Sequence, residues 1–214
     1  MSVIGISGRM GSGKNTVGDI IEKLCLTNNG PKFEQKSFAR KLKQIASLLT
    51  GFPVEDFEDQ EFKKSYLGSE WGTVQQVPLN SIPPFADIQF NALMSVRELL
   101  QKLGTEAIRD GLHPNAWVNS LMCEYKRPKM SEYNPSNWII TDVRFPNELE
   151  AIEDVKGLTL KVVRPVKKSK TTARLHPSET SLDKAEFNYT IINDGSIEDL
   201  IEKVRQILIT EKII

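Results

Sequence analysis

Cysteine and histidine are scarce in this chain of 214 residues, with two of each, and neither sign of charge prevails: 28 lysines and arginines face 28 aspartates and glutamates. Each shortage excludes something. Cys25 and Cys123 stand in apolar, helix-patterned stretches with no partner at metal-ligand spacing, so both read by default as reduced, buried thiols. His113 and His176 have no acidic or serine partner at a recognisable spacing, which leaves a histidine-based nucleophile without support; His113, next to Pro114, reads as a residue that opens a helix. A net charge of zero provides no global field for nucleic acid or an anionic membrane, so any polyanion must be met by local arrangement. Apolar runs fall short of the roughly 18 residues of a membrane span, and no charged-then-apolar leader is visible. The expectation is a soluble cytoplasmic protein. With 39% hydrophobic residues, the length suits one good core, hence a single domain over 1–214.

What is present begins at the N-terminus. Between the apolar run Val3-Ile4-Gly5-Ile6 and a helix start near Thr16 lies Gly8-Arg9-Met10-Gly11-Ser12-Gly13-Lys14-Asn15-Thr16, the phosphate-binding pattern G-x-x-x-x-G-K in its strand–loop–helix setting. Glycines 8, 11 and 13 allow the tight turn that aims successive N–H groups inward, and the positive end of the following helix faces the same hollow. Lys14 adds a point charge for the β- and γ-phosphates. The usual Ser or Thr after the lysine, a magnesium ligand, is replaced by Asn15, with the hydroxyl displaced to Thr16. Either the Asn15 amide oxygen serves the metal, directly or through water, or phosphates and a carboxylate elsewhere hold it.

Apolar periodicity predicts alternating strands and helices, hence an α/β three-layer sandwich with a mostly parallel sheet. Strands are expected near 3–7, 33–38, 138–141, 158–163 and 189–192. Helices are expected over 16–26, 39–50, 95–109, 114–125, 147–155 and 197–209, Ser95 and Glu98 forming a capping box on the third. Residues 53–94 show no sustained period and read as an insertion, with a short helix near 57–66 and an irregular or hairpin-like stretch around 71–90. No internal repeat or low-complexity segment interrupts the pattern.

Three constellations carry chemistry. The buried strand Trp138–Thr141 delivers Asp142 at its carboxyl end, where phosphate-loop enzymes hold magnesium or its water shell; a helix cap or an ion pair with Arg144 is the plainer alternative. Arg144, two residues on, is expected to project from the same side. On the helix after the insertion, Arg97, Gln101 and Thr105 are spaced by four on one polar face, suited either to solvent or to a phosphate, base edge and sugar. Gly104 costs about 1 kcal/mol relative to Ala in mid-helix, which a close ligand or a neighbouring helix would explain, and Trp117 is a core residue or a stacking platform. Finally, the basic loop 164–184, with Arg164, Lys167, Lys168, Lys170, Arg174 and His176, reads as a solvated surface or as a lid over a transferring phosphoryl group.

Assembled, these pieces resemble the phage-type deoxynucleoside monophosphate kinases. The marks are Gly13-Lys14-Asn15-Thr16, where the family often has Asp at the third position; Ser37-Phe38-Ala39; Arg97-x-x-x-Gln101-x-x-Gly104-Thr105 with Trp117; Asp142-Val143-Arg144-Phe145-Pro146-Asn147-Glu148; His176-Pro177-Ser178-Glu179; and Asn193-Asp194-Gly195. The resemblance implies ATP-dependent, magnesium-assisted phosphorylation of deoxynucleoside 5′-monophosphates. It implies that Gly11, Ser12, Gly13, Lys14, Asn15 and Thr16 hold the donor, with Asn193 and Gly195 near its adenine. Phe38, Ala39, Arg97, Gln101, Gly104, Thr105, Trp117 and Asp142 would bind the acceptor. Lys14, Arg144, Arg164 and Arg174 would serve the transfer, and Asn15 and Asp142 the metal. The expected partners are ATP and the monophosphate, with no nucleic acid or membrane, in the host cytoplasm if phage-encoded; the subunit count stays open, a homodimer included. The rival readings are a phosphate-loop kinase of another small molecule such as dephospho-coenzyme A, and a non-catalytic ATP-binding switch.

Overall fold

The computed structural model describes residues 2–72, 93–126, 137–165 and 180–214. Five strands, β1 (Val3–Ser7), β2 (Phe33–Lys36), β3 (Asn137–Val143), β4 (Leu158–Val163) and β5 (Tyr189–Ile192), form one sheet in the order β2-β3-β1-β4-β5. Every pairing is parallel, so all the strands end at one edge, where open α/β sheets present their ligand crevice. The chain divides into two compact units: one comprising residues 1–38 and 117–214, the other Ala39–Ala116.

The first unit is three layers thick. Because successive strand residues face opposite ways, Ile4, Ile6 and Ile139 pack with Val17, Ile21 and Leu24 of α1 (Lys14–Thr27) and with Leu200, Val204 and Leu208 of α6 (Ile197–Thr210). Val3, Trp138 and Ile140 turn the other way, onto Val118, Leu121 and Met122 of α4 (Ala116–Lys126) and Leu149 and Ile152 of α5 (Pro146–Glu153). The α/β sandwich expected from the pattern is therefore present, with sheet ranges close to those read from the sequence. The buried positions of α4 are 117, 118, 121, 122 and 125; Cys123 falls off that stripe and is exposed, which corrects the expectation of two buried thiols. Only Cys25 is buried, and burial pushes its thiol up to about 11.

The second unit packs α2 (Arg40–Thr50) and α3 (Val96–Gln101) around Ala46, Phe57, Leu67, Val96 and Leu99. The expected short helix near 57–66 is two 3₁₀ turns, Val54–Glu58 and Phe62–Lys64. Most of the irregular or hairpin-like stretch expected around 71–90 lies outside the described residues. Ser95 caps α3 by accepting from the Glu98 N–H at 3.1 Å. The helix expected to continue to residue 109 changes winding instead, becoming a π-helix over Lys102–Asp110. Such a segment closes its hydrogen bonds on the fifth residue rather than the fourth, a difference that apolar spacing in the sequence does not report. Leu42 of α2 explains Gly104: a Cβ there would lie 2.8 Å from the Leu42 Cδ2. Among the described residues, no helix is long and apolar enough to cross a membrane.

Candidate active site

The phosphate loop leaves β1 between two fully committed neighbours. Gly8 has φ +154°, and a Cβ on it would lie 2.4 Å from the Val162 carbonyl oxygen of β4. The loop therefore runs against the sheet at a distance no side chain permits. Gly13, with φ +102°, precedes α1 as its N-cap without a side-chain hydrogen bond, so the first N–H groups of α1 are not claimed by a capping side chain. The Lys14 ammonium donates to the Gly8 carbonyl at 2.6 Å and to the Arg9 carbonyl at 2.9 Å, curled over the loop it serves. Ser12 is buried, and its Oγ has no hydrogen-bond partner among the described residues.

Beside the loop opens a cavity of about 390 Å³ whose lining includes Gly11, Ser12, Arg144, Lys161 and Arg164. Cations thus gather where a polyphosphate would run. Arg164 Nη1 lies 3.5 Å from the Gly11 carbonyl oxygen. The buried Glu148 carboxylate accepts from the backbone N–H of Arg144 at 2.8 Å and of Phe145 at 3.2 Å, fixing the turn that carries Arg144 off the end of β3. Lys161, the one charged residue of β4, donates to the carbonyls of Leu182 and Asp183 at 2.9 and 3.1 Å. Leu182 is itself buried in the core, and Asp183 pairs with Arg9 of the loop at 2.7 Å. The end of the basic segment is thereby anchored beside the phosphate loop.

Asp142 lies within β3, and both carboxylate oxygens are engaged. Oδ2 accepts from the Ser37 hydroxyl at 2.7 Å and Oδ1 from the Phe38 N–H at 3.0 Å. The acid at the end of β3 thus holds the turn after β2, and the Phe38 ring is part of the core. Trp117 is also buried. In the second unit, Arg97, Gln101 and Thr105 are half-buried along one helical segment with Gly104, and Arg97 Nη2 donates to the Gln60 side-chain oxygen at 3.2 Å. Ala39 is the N-cap of α2.

Asn193 follows β5. Its Nδ2 donates to the Ser12 carbonyl at 2.8 Å, out of contact with solvent, and its N–H donates to the Val163 carbonyl at 2.8 Å. Lys203 of α6 braces the same turn by donating to the Ile192 carbonyl and to Asp194 at 2.7 and 3.0 Å, a contact that holds the Asp194 carboxyl below its ordinary range. His113 fills the part expected of it: its carbonyl accepts from Ala116 N–H, and its Nδ1 from Asn115 N–H, just ahead of α4. Arg174 and His176, expected in the basic loop, lie outside the described residues. Sequence reasoning did not single out Lys161 or Asp183. A lone charge inside the mostly apolar strand Leu158–Val163 is the available signal for the first.

Residues 63–204 match the family model described as deoxynucleotide monophosphate kinase. The chain is 26% identical over 234 residues to a deoxynucleoside-5′-monophosphate kinase of Escherichia phage T5, with 90% of each chain covered. It is 28% identical over 214 residues to a putative deoxynucleotide monophosphate kinase of Acanthamoeba polyphaga mimivirus, covering 95% of this chain and 94% of that one. A deoxynucleotide monophosphate kinase of Enterobacteria phage T4 is 33% identical over 114 residues, 53% of this chain and 45% of its own length.

Proposed function

This chain belongs to the deoxynucleotide monophosphate kinase family, and from that premise we propose how its residues divide the work. It is an enzyme that phosphorylates deoxynucleoside monophosphates. The observation that carries the assignment of parts is the phosphate loop, with three positive-φ glycines and Lys14 beside a cavity lined by Arg144, Lys161 and Arg164. ATP is the donor, held by residues 11–16. An oxygen of the acceptor phosphate attacks the γ-phosphorus, the bond from that phosphorus to the bridging oxygen breaks, and ADP leaves with the electron pair. Because the attacking oxygen is already anionic, no general base is needed, and the demand on the protein is alignment and charge compensation. Lys14, Arg144 and Arg164 supply that compensation, with Arg174 assigned the same part.

The donor set fits a magnesium ion that arrives with the nucleotide. Asn15 and Thr16 are exposed in the first turn of α1 and present amide and hydroxyl oxygens, and no group of three His, Cys, Asp or Glu side chains gathers among the described residues. Magnesium keeps several waters and takes few protein ligands. Asp142, a carboxylate at the end of β3, is assigned to the ion's water shell. When bound, the ion neutralises charge on the donor phosphates. Phe38, Ala39, Arg97, Gln101, Gly104, Thr105 and Trp117 are assigned to the acceptor, and Asp142 acts on it by holding Phe38 in place. The enzyme works in the cytoplasm, where both nucleotides are found.

The test is ADP release from Mg-ATP with each deoxynucleoside and ribonucleoside monophosphate offered separately, beside dephospho-coenzyme A. Stimulation by one or more deoxynucleoside monophosphates is expected. Stimulation by dephospho-coenzyme A alone, or by no acceptor, would overturn the assignment.

A further inference from the structure

We propose that Asn193 is a positioning residue that sets the phosphate loop in its binding conformation, acting on the nucleotide through the loop's backbone. The inference rests on the reading that residues 8–16 hold the donor phosphates. Asn193 lies 181 positions along the chain from Ser12, yet its Nδ2 donates to the Ser12 carbonyl at 2.8 Å in a fully buried contact. A trans peptide is planar, with its C=O and N–H pointing opposite ways. Fixing the Ser12 carbonyl toward Asn193 therefore fixes the Gly13 N–H on the other side of the same plane, where the loop's N–H groups gather for phosphate.

A second observation points to the same pairing. A Cβ on Gly13 would stand 2.6 Å from the Asn193 Nδ2. Gly13 is thus glycine for two reasons, its φ of +102° and the approach of this amide. The amide is in turn held at its root. Asn193 N–H extends the sheet ladder to the Val163 carbonyl, and Lys203 grips the residues on either side. The strut therefore runs from α6 through the end of β5 to the loop.

The discriminating ligand is tripolyphosphate, which has the phosphates of ATP and no base. Binding of Mg-ATP and of tripolyphosphate would be measured calorimetrically for the wild-type chain, Asn193→Ala and the isosteric Asn193→Asp, together with KM and kcat for ATP and for the acceptor. Loss of one buried donor leaves the Ser12 carbonyl unpaired. Asn193→Ala is expected to weaken both ligands by the same factor, about tenfold, and to raise KM for ATP while leaving that for the acceptor unchanged. Asn193→Asp, which sets an oxygen against the carbonyl, is expected to weaken both further. Weakened ATP binding with tripolyphosphate untouched would overturn the strut in favour of a base contact, and unchanged binding of both would overturn it outright. Wild-type protein that bound neither ligand would instead remove the phosphate-loop reading, and the inference with it. Should the variants not fold, the wild-type side-chain amide decides: its Nδ2 protons should exchange slowly by NMR with or without nucleotide, and exchange at solvent rates would refute the contact.

Discussion

Lys14 donates to the carbonyls of Gly8 and Arg9, so the residue assigned to the donor phosphates also holds the loop's own backbone. An anion in the loop competes for that ammonium with two neutral acceptors, and hydrogen bonds to charged groups are the stronger kind. Lys14→Met should therefore remove nucleotide affinity at modest cost to the fold. Turnover is expected to fall by about a hundredfold or more. Thermal melts provide the companion reading. Saturating Mg-ATP, at a hundred times its Kd, should stabilise the wild-type chain by about 2.7 kcal/mol and leave Lys14→Met unmoved. A variant that kept its activity would end the assignment of this lysine.

Asp142 and Ser37 should prove energetically coupled. The hydroxyl-to-carboxylate bond is short, at 2.7 Å and half-buried, and such charge-assisted bonds contribute about 1.5–3 kcal/mol. A double-mutant cycle of Ser37→Ala and Asp142→Asn, followed by urea denaturation, is expected to give a coupling of about 1–2 kcal/mol. Because the same carboxylate accepts from the Phe38 N–H, each single variant should raise KM for the monophosphate more than KM for ATP. Strict additivity would show that the two groups do not act together.

The two thiols should behave oppositely. Cys123 is exposed and Cys25 buried, so a maleimide is expected to label one cysteine per chain in the native protein and two in denaturant, with mass spectrometry placing the native adduct on residue 123. Alkali should expose the difference in stability as well. The Cys25 thiol rises from 9.0 to about 11 in the folded chain, so folding favours the protonated form. Its contribution is complete below pH 9 and is lost as pH climbs through 11. Over that window the native state should lose on the order of 2 kcal/mol that Cys25→Ala would not lose.

How far the sequence discloses this molecule depends on the range of each relationship. The phosphate loop, the β3 acid and the helix cap at Ser95 are local, and a spacing of a few residues reveals them. The alternation of Val3 with Ile4 and Ile6 likewise predicts two apolar faces on one sheet. Distant partners leave no such trace. Nothing near Asn193 announces Ser12, nothing near Lys161 announces Leu182, and Asp142 gives no sign that its oxygens are spent on Ser37 and Phe38. The change to π-winding after Gln101 escapes for another reason: apolar spacing tolerates it. Cys123 stands in an apolar neighbourhood yet off the buried stripe of α4, a distinction that local composition does not make.

The strand order has a consequence for how the enzyme comes into being. β1 lies between β3 and β4, and β2 beyond β3, so strands β1 and β2, consecutive in the chain, are not neighbours in the sheet. Val3 finds its partner only at Trp138. Contacts so distant in sequence are slow to form, since the loop-closure entropy must be met before the pairing rewards it. Residues 39–116, by contrast, form a continuous compact unit with partners near at hand. The nucleotide loop is thus among the last parts to take shape: its motif is complete within nine residues, but the use of it waits for the far strands to pair.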